Sequence, residues 1–213
     1  MSENLSKIRN LHYLKSFGYE FVSKELNFPS KESDFANLRA SVSRCELCGL
    51  SKKRAHSLIE PHLKPAKLMV LDSFADKNED KSGVLLDSSK GEKFLTLLKN
   101  VLNLSADEIF LSYVYKCFGG GKNDAFALSA CLPYFWSEFH LVKPRVLLIL
   151  GEDSFVNLGF DDFKRLRGQV FSHLGAWLLA TFSVEFILKN PSFEREFVDD
   201  LSKIKGFLCE NTL

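Results

Sequence analysis

The run Val146-Leu-Leu-Ile-Leu150 is apolar at every position and ends at once in Gly151-Glu152-Asp153. A strand built from it has no polar face to turn toward water. It belongs in a mainly parallel sheet covered on both sides, not in an antiparallel sheet with one wet face. Leu68-Met-Val-Leu71 has the same character, and Ile109 to Tyr115 (IFLSYVY) nearly so. Helical patterns lie between these runs. Ser89-Lys-Gly-Glu92 reads as a capping box, with Ser89 at the helix start and Glu92 reaching back to it. Phe94, Leu97, Leu98, Val101 and Leu102 follow at helical spacing. A helix over residues 124–141 carries Pro133 inside it, which predicts a kink. Gln169 to Phe182 reads as a hairpin that turns at Gly175 and runs into a fourth strand. Asn190-Pro191 opens a last helix, ending near residue 204. This alternation predicts an α/β fold with three layers, α/β/α, around a four-stranded mainly parallel sheet.

Ahead of this frame, residues 4–25 read as a helix with Leu5, Ile8, Leu11, Leu14, Phe17 and Phe21 near one face. Asn27 to Asp34 reads as a loop broken by Pro29, and a second helix is expected from Phe35 to Arg44. The chain therefore divides into an N-terminal helical extension, residues 1–37, and one α/β domain, residues 38–213.

Ligands of open α/β sheets sit beyond the carboxyl ends of the strands. Those ends are Asp72 to Asp76, Lys116 to Asp124, Gly151 to Ser154 and Ser183 to Phe186. The first is the most polar, since Leu68–Leu71 passes straight into DSFADKNEDKSG with Phe74 alone among acidic and polar residues. It has no glycine before Gly83 and no obvious nucleophile. The 213 residues carry a formal net charge of +1, so no global basic field advertises nucleic acid. The 20 phenylalanines predict a core rich in aromatic rings. No segment reads as a signal peptide or a membrane span, which predicts a cytoplasmic protein without membrane contact.

In that compartment the 5 cysteines are poor material for structural disulfides. Cys45-Glu-Leu-Cys48 is a C-x2-C pair, open to zinc, an iron–sulfur cluster or a redox dithiol. The dithiol fits badly, because the pair precedes the first strand instead of lying in a βαβ unit. Cys117 directly follows the second strand, and Cys131 lies on the next helix. Four thiolates satisfy either a tetrahedral zinc or a four-iron cluster. Free cysteine is also at home as a small buried hydrophobe, and spacing alone leaves both readings open. Cys209 reads as a spare thiol. The five histidines show no ligand spacing, and Gly119-Gly-Gly121 lacks the Lys-Ser/Thr of a phosphate loop.

Taken in order, Cys45-x-x-Cys48-x-Leu50-x-x-x-Arg54, Glu79-Asp80-x-x-Gly83, Lys116-Cys117, Cys131-Leu-Pro-Tyr134, Leu141-x-Lys-Pro144 with the strand to Gly151, and Arg167-Gly168 form a constellation. It resembles the iron–sulfur uracil-DNA glycosylases called family 4, over about residues 38–205. The resemblance implies a uracil-DNA glycosylase-like domain. It also implies a 4Fe-4S cluster on Cys45, Cys48, Cys117 and Cys131, with zinc as the alternative metal. The chemistry implied is DNA repair by base flipping and N-glycosidic cleavage. In that family an acid in the first loop positions or activates water, and a histidine in the last loop stabilises charge on the departing base.

At the catalytic positions this sequence departs from the pattern. Asp72-Ser73-Phe74-Ala75-Asp76 stands where the family has G-E-A-P-G, so Ser73 replaces the acid. Ser183-Val184-Glu185 stands in place of H-P-S. In the base pocket, Leu86 replaces the stacking phenylalanine, and Tyr113 replaces the asparagine that reads uracil. Phe74 is the remaining aromatic candidate there. The arginine–proline run after the cluster cysteine is Phe118-Gly119-Gly120-Gly121. Three readings follow. The first is a degenerate, DNA-binding member with little or no uracil excision. The second is a glycosylase with a rewired site, in which Asp72 or Asp76 stands in for the lost acid. The third is a protein-interaction module with a structural cluster, the N-terminal helix being the surface for a protein partner. For the first, Lys52, Lys53, Arg54, Lys116 and Lys122 are the expected contacts to DNA, weak and independent of base sequence.

Overall fold

The computed structural model describes residues 31–209, and the helix read over residues 4–25 lies outside them. Five strands form one sheet: β1 (Leu68–Asp72), β2 (Ile109–Tyr113), β3 (Val146–Leu150), β4 (Val170–His173) and β5 (Ala176–Thr181). Their order is β2-β1-β3-β5-β4. β1 pairs in parallel with β2 and β3, and β3 with β5, while β4 runs antiparallel to β5. Every residue of β1, β2 and β3 is buried, the polar Asp72 and Ser112 included.

The helices are α1 (Lys31–Ser43), α2 (Lys77–Ser82), α3 (Ser89–Leu102), α4 (Ala125–Val142), α5 (Gly151–Asn157), α6 (Phe163–Leu166), α7 (Val184–Lys189), α8 (Glu194–Lys203) and α9 (Lys205–Cys209), with 3₁₀ turns at 106–108 and 191–193. The two-residue period of the strands sorts the core into two layers. Met69, Leu71, Phe110, Leu147 and Ile149 face one side, where α1, α4, α5 and α6 supply Phe35, Phe135, Phe139, Phe155 and Phe163. Leu68, Val70, Leu111, Leu148 and Leu179 face the other, where α3, α7 and α8 supply Phe94, Leu98, Ile187, Phe197 and Leu201. The expected α/β/α sandwich and its aromatic core are both present.

The sheet has five strands, not four. The first arm of the hairpin pairs with the second and becomes the antiparallel edge strand β4. Leu174 (φ 51°) and Gly175 (φ 82°) both take left-handed backbone, the conformation of a two-residue hairpin turn that follows the twist of the strands. The helix expected from Phe35 begins at Lys31, and it places Phe35 edge-on to Phe110 with ring centroids 5.9 Å apart. Residue 37, the end of the expected extension, thus falls inside α1. Ser88, not Ser89, caps α3: its hydroxyl accepts from the Gly91 amide at 3.1 Å. Helix α4 runs unbroken through Pro133. Among the described residues no helix is long and apolar enough to cross a membrane.

The sheet order positions the site. The chain leaves β1 toward β2 on one side and leaves β3 toward β4 and β5 on the other, so the connections diverge above the β1–β3 pair. This is the switch point at which open sheets leave a crevice. Asp72 and Leu150 are partners across it.

Candidate functional site

The crevice above β1 and β3 is closed by its own side chains. Ser73 is buried and its hydroxyl lies 2.9 Å from that of Ser154, on α5. The Ser154 hydroxyl in turn donates to the Leu150 carbonyl at 2.6 Å. Ser183 reaches the same region from the last loop, since a Cβ on Gly151 would stand 3.0 Å from the Ser183 Cβ. The fold thus brings the first and last loops together around the start of α5. Ser183 is occupied as the cap of α7, accepting from the Phe186 amide at 3.2 Å.

Asp72 is 8 % exposed and its carboxylate is engaged on both oxygens. Lys90 donates to Oδ2 at 3.0 Å, and the Ser73 amide donates to Oδ1 at 2.7 Å. Lys90 also donates to the Phe74 carbonyl at 2.7 Å and stands 5.5 Å from the centre of the Tyr113 ring. Burial pulls the Lys90 pKa down, but Asp72 beside it, helped by the charges of Glu79 and Glu185, carries it above the ordinary lysine value. The result is a neutralised pair, not a free base.

The acidic stretch after β1 is a cage built around α2. Asp76 caps this helix by accepting from the Asn78 amide at 2.8 Å, while Glu79 Oε2 accepts from the Asp76 amide at 2.5 Å, a reciprocal capping box. The other Glu79 oxygen accepts from the Tyr113 hydroxyl at 2.5 Å and from the Leu86 amide at 2.6 Å. Tyr113 is buried. Burial first, then the charge of Glu79, pushes its pKa well above the ordinary value, so its hydroxyl stays a donor. Asp80 receives the Ala55 amide at 3.1 Å and anchors the segment that follows the C-x2-C pair. Leu86 sits at φ 65°, and its carbonyl crowds Gly91 so closely that a Cβ there would stand 2.1 Å away. Phe74 is half-buried, with one face stacked on Tyr115 at 4.9 Å and 6°.

What remains open is a cavity of about 10 Å³ lined by Asp72, Leu86, Lys90, Phe94, Leu150 and Val184 among others. That is room for roughly one water, far short of a pyrimidine ring. Lys90, Glu79 and Ser154, which close the site, carried no site role in the sequence expectation, although Glu79 stood in the run Glu79-Asp80-x-x-Gly83. Only Glu79 had a local signal, the spacing Asp76-x-x-Glu79 of a capping box.

The four cysteines lie on three segments that the fold brings together. Cys45 and Cys48 occupy the turn after α1, Cys117 follows β2, and Cys131 is in the second turn of α4. All four are free thiols; Cys48, Cys117 and Cys131 are buried and Cys45 is half-buried. They lie close enough to act on each other electrostatically, Cys45 and Cys48 on Cys117, and Cys117 and Cys48 on Cys131. Burial raises the Cys117 pKa against the pull of Arg54, and pushes Cys131 up to about 11. A cationic centre would hold such thiols as thiolates. Among the described residues no three His, Cys, Asp or Glu side chains gather as ligands of one metal ion. Zinc, the alternative metal, would take the same four thiolates, with its sulfurs about 2.3 Å from one point. A four-iron cluster binds each sulfur through a different iron, and its donor set is the one present: four thiols, three of them shielded from water.

The expected cationic face is only partly formed. Lys52, Lys53 and Lys122 are exposed. Their loops are neighbours, since a Cβ on Gly119 would stand 3.2 Å from Leu50. Lys116 is not on that face. It is 1 % exposed and forms a buried ion pair with Glu138 at 2.6 Å, shared with the Ser112 hydroxyl. The pair holds the end of β2 to α4. Arg54 points inward toward the cysteines, donating to Cys117 Sγ at 3.1 Å.

Fold and site together define a doubly wound α/β protein with a switch-point crevice and, beside it, a four-thiol site joining the chain before β1 to β2 and α4. Residues 63–202 match the family model described as Uracil DNA glycosylase superfamily, and the chain belongs to that superfamily. The likeness to the family 4 enzymes is borne out by curated relatives. A Type-4 uracil-DNA glycosylase of Sulfurisphaera tokodaii is 23% identical over 184 residues, 79% of this chain and 82% of that protein. The Type-4 enzyme of Saccharolobus solfataricus is also 23% identical, over 81% of this chain and 85% of its own. That of Pyrobaculum aerophilum is 23% identical over 81% of this chain and 94% of its own.

Proposed function

We propose that this protein is a degenerate member of the superfamily: a 4Fe-4S protein that binds DNA weakly and excises little or no uracil. One observation carries the reading, the filled crevice at the switch point, where about 10 Å³ is left. A flipped base needs a pocket that encloses its ring and reads its edge. Here Tyr113 and Glu79 satisfy each other, Asp72 is held by Lys90, and Ser73 by Ser154. Among the described residues that line the crevice, none is left poised to activate water or to receive charge from a departing base. The cluster would be held by Cys45, Cys48, Cys117 and Cys131. Bound there, it would supply a cross-link between three chain segments, and an electron-accepting centre, away from the crevice.

Binding to DNA is assigned to the exposed Lys52, Lys53 and Lys122. Asp124 and Asp153 are exposed on the neighbouring segments, and Asn123 donates to Asp153 at 2.6 Å, so the local field is mixed. Affinity should accordingly be low, indifferent to base sequence and sensitive to salt, with each lysine–phosphate contact adding close to one to the salt slope. The test is a titration of single- and double-stranded DNA at low and moderate salt, with the wild type and a Lys52→Ala/Lys53→Ala/Lys122→Ala variant. The reading predicts binding at low salt that fades at moderate salt and is weaker in the variant. Absence of binding at low salt, or a variant as tight as the wild type, contradicts it and favours a protein-interaction role.

The rewired glycosylase keeps one point in its favour: Asp72 lines the residual cavity. It would require Lys90 to release the carboxylate and Leu86 to swing out, and an Asp72→Asn variant would then lose whatever excision the wild type shows.

A further inference from the structure

We infer that Arg54 is the positioning residue of the four-cysteine site, fixing Cys45 and Cys117 relative to each other and donating to a ligating sulfur, and that it makes no contact with phosphate. The inference rests on the cluster reading above.

In sequence Arg54 closes the cationic run Lys52-Lys53-Arg54. In the fold it parts from the two lysines. They are exposed, whereas its guanidinium turns inward. Nη1 donates to the Val42 carbonyl at 3.2 Å and to Cys117 Sγ at 3.1 Å. Nη2 donates to the Ser43 carbonyl at 2.6 Å and to the Cys45 carbonyl at 3.3 Å. These four bonds use all four Nη hydrogens, so no forked pair is left to offer a phosphate. Val42 and Ser43 end α1, where carbonyls have no partner within the helix and must find one elsewhere. Cys45 opens the C-x2-C turn, and Cys117 lies 63 residues beyond Arg54 in the chain. A single planar fork therefore ties the helix end, the turn and the end of β2 at the point where the cysteines gather. Tyr134 also lies close enough to Cys45 for the two side chains to act on each other.

A lysine could not replace this arrangement, because an ammonium is a point charge without the planar fork. Two consequences follow. Partners that orient metal ligands govern retention of the metal. Hydrogen bonds and charge at cluster sulfurs also set the reduction potential, and an N–H donor with a positive charge favours the reduced state.

The experiment compares wild type, Arg54→Lys, Arg54→Met and a Lys52→Ala/Lys53→Ala variant, all as the full chain purified without oxygen. Iron and acid-labile sulfide are measured, then the rate of iron loss to a chelator, then the midpoint potential of the retained cluster. The double-lysine variant should match the wild type. Both Arg54 variants should lose iron roughly ten- to a hundred-fold faster, and the cluster they retain should titrate at a lower potential. Arg54→Lys keeps the charge and carries the test should Arg54→Met fail to fold. Arg54 variants that match the wild type in both retention and potential overturn this inference alone. A wild type without iron or sulfide overturns it together with the cluster reading.

Discussion

At the scale of single residues, Lys90 decides what the first loop can do. It clasps Asp72 and the Phe74 carbonyl, with side-chain exposures of 14% for the lysine and 11% for the aspartate. Replacing it with methionine leaves a mostly buried carboxylate without its counter-ion, at a cost of about 1–3 kcal/mol. The sign of the pH dependence follows from the raised pKa. A lysine whose pKa in the fold exceeds the ordinary 10.5 contributes stability that is fully present below that value and lost as pH rises through the folded pKa. Denaturant unfolding of wild type and Lys90→Met should therefore differ by a constant amount through neutral pH, and the difference should shrink only above pH 10.5. A gap that closes between pH 5 and 8 would contradict this account of Lys90.

At the scale of elements, α2 turns an acidic loop into a structural brace. Asp76 is its cap, so Asp76→Ala should cost about 0.5–2 kcal/mol while Asp76→Asn, which caps equally well, should be nearly neutral. Hydrogen exchange across residues 77–86 would report the same contrast, faster in the alanine variant alone. If Asp76→Asn proves as damaging as Asp76→Ala, the carboxylate is needed for its charge and the cap account of Asp76 is wrong. The same element shows where sequence reasoning stops. Val146–Leu150 and Leu68–Leu71 were legible because burial on both faces leaves a strand no polar positions. The hairpin was legible through Gly175, but the pairing of its first arm, half-exposed and short, was not. Helices α2, α5 and α7 span 6, 7 and 6 residues, less than two full turns, too short for an apolar period to declare itself. In the site, the cysteines stood out by spacing. Ser73 and Ser154 are 81 residues apart, and Lys116 and Glu138 are 22 apart, and only the sheet order brings such pairs together. Lys116 and Arg54 looked like surface cations for that reason, although one is buried in an ion pair and the other bonds a cysteine sulfur.

At the scale of the whole molecule, the superfamily's sheet and helices are intact while the crevice they frame is filled from every side: Ser73 and Ser154 from the β1 and β3 ends, Leu86 and Lys90 from the approach to α3 and its first turn, Val184 from α7. The central claim is that the frame persists without a uracil site. Excision measured under single-turnover conditions, with protein in excess over uracil-containing single- and double-stranded DNA, tests it most directly. Loss of one charge-stabilising donor costs roughly a hundred- to a thousand-fold in rate. On the proposed reading, the positions that the resemblance assigns to the acid and the histidine are serines, and the cavity of about 10 Å³ gives a base no room. The account predicts no product beyond the protein-free control, from protein whose iron content has been measured. Complete excision within minutes would contradict it, and would mean that the crevice opens on binding DNA.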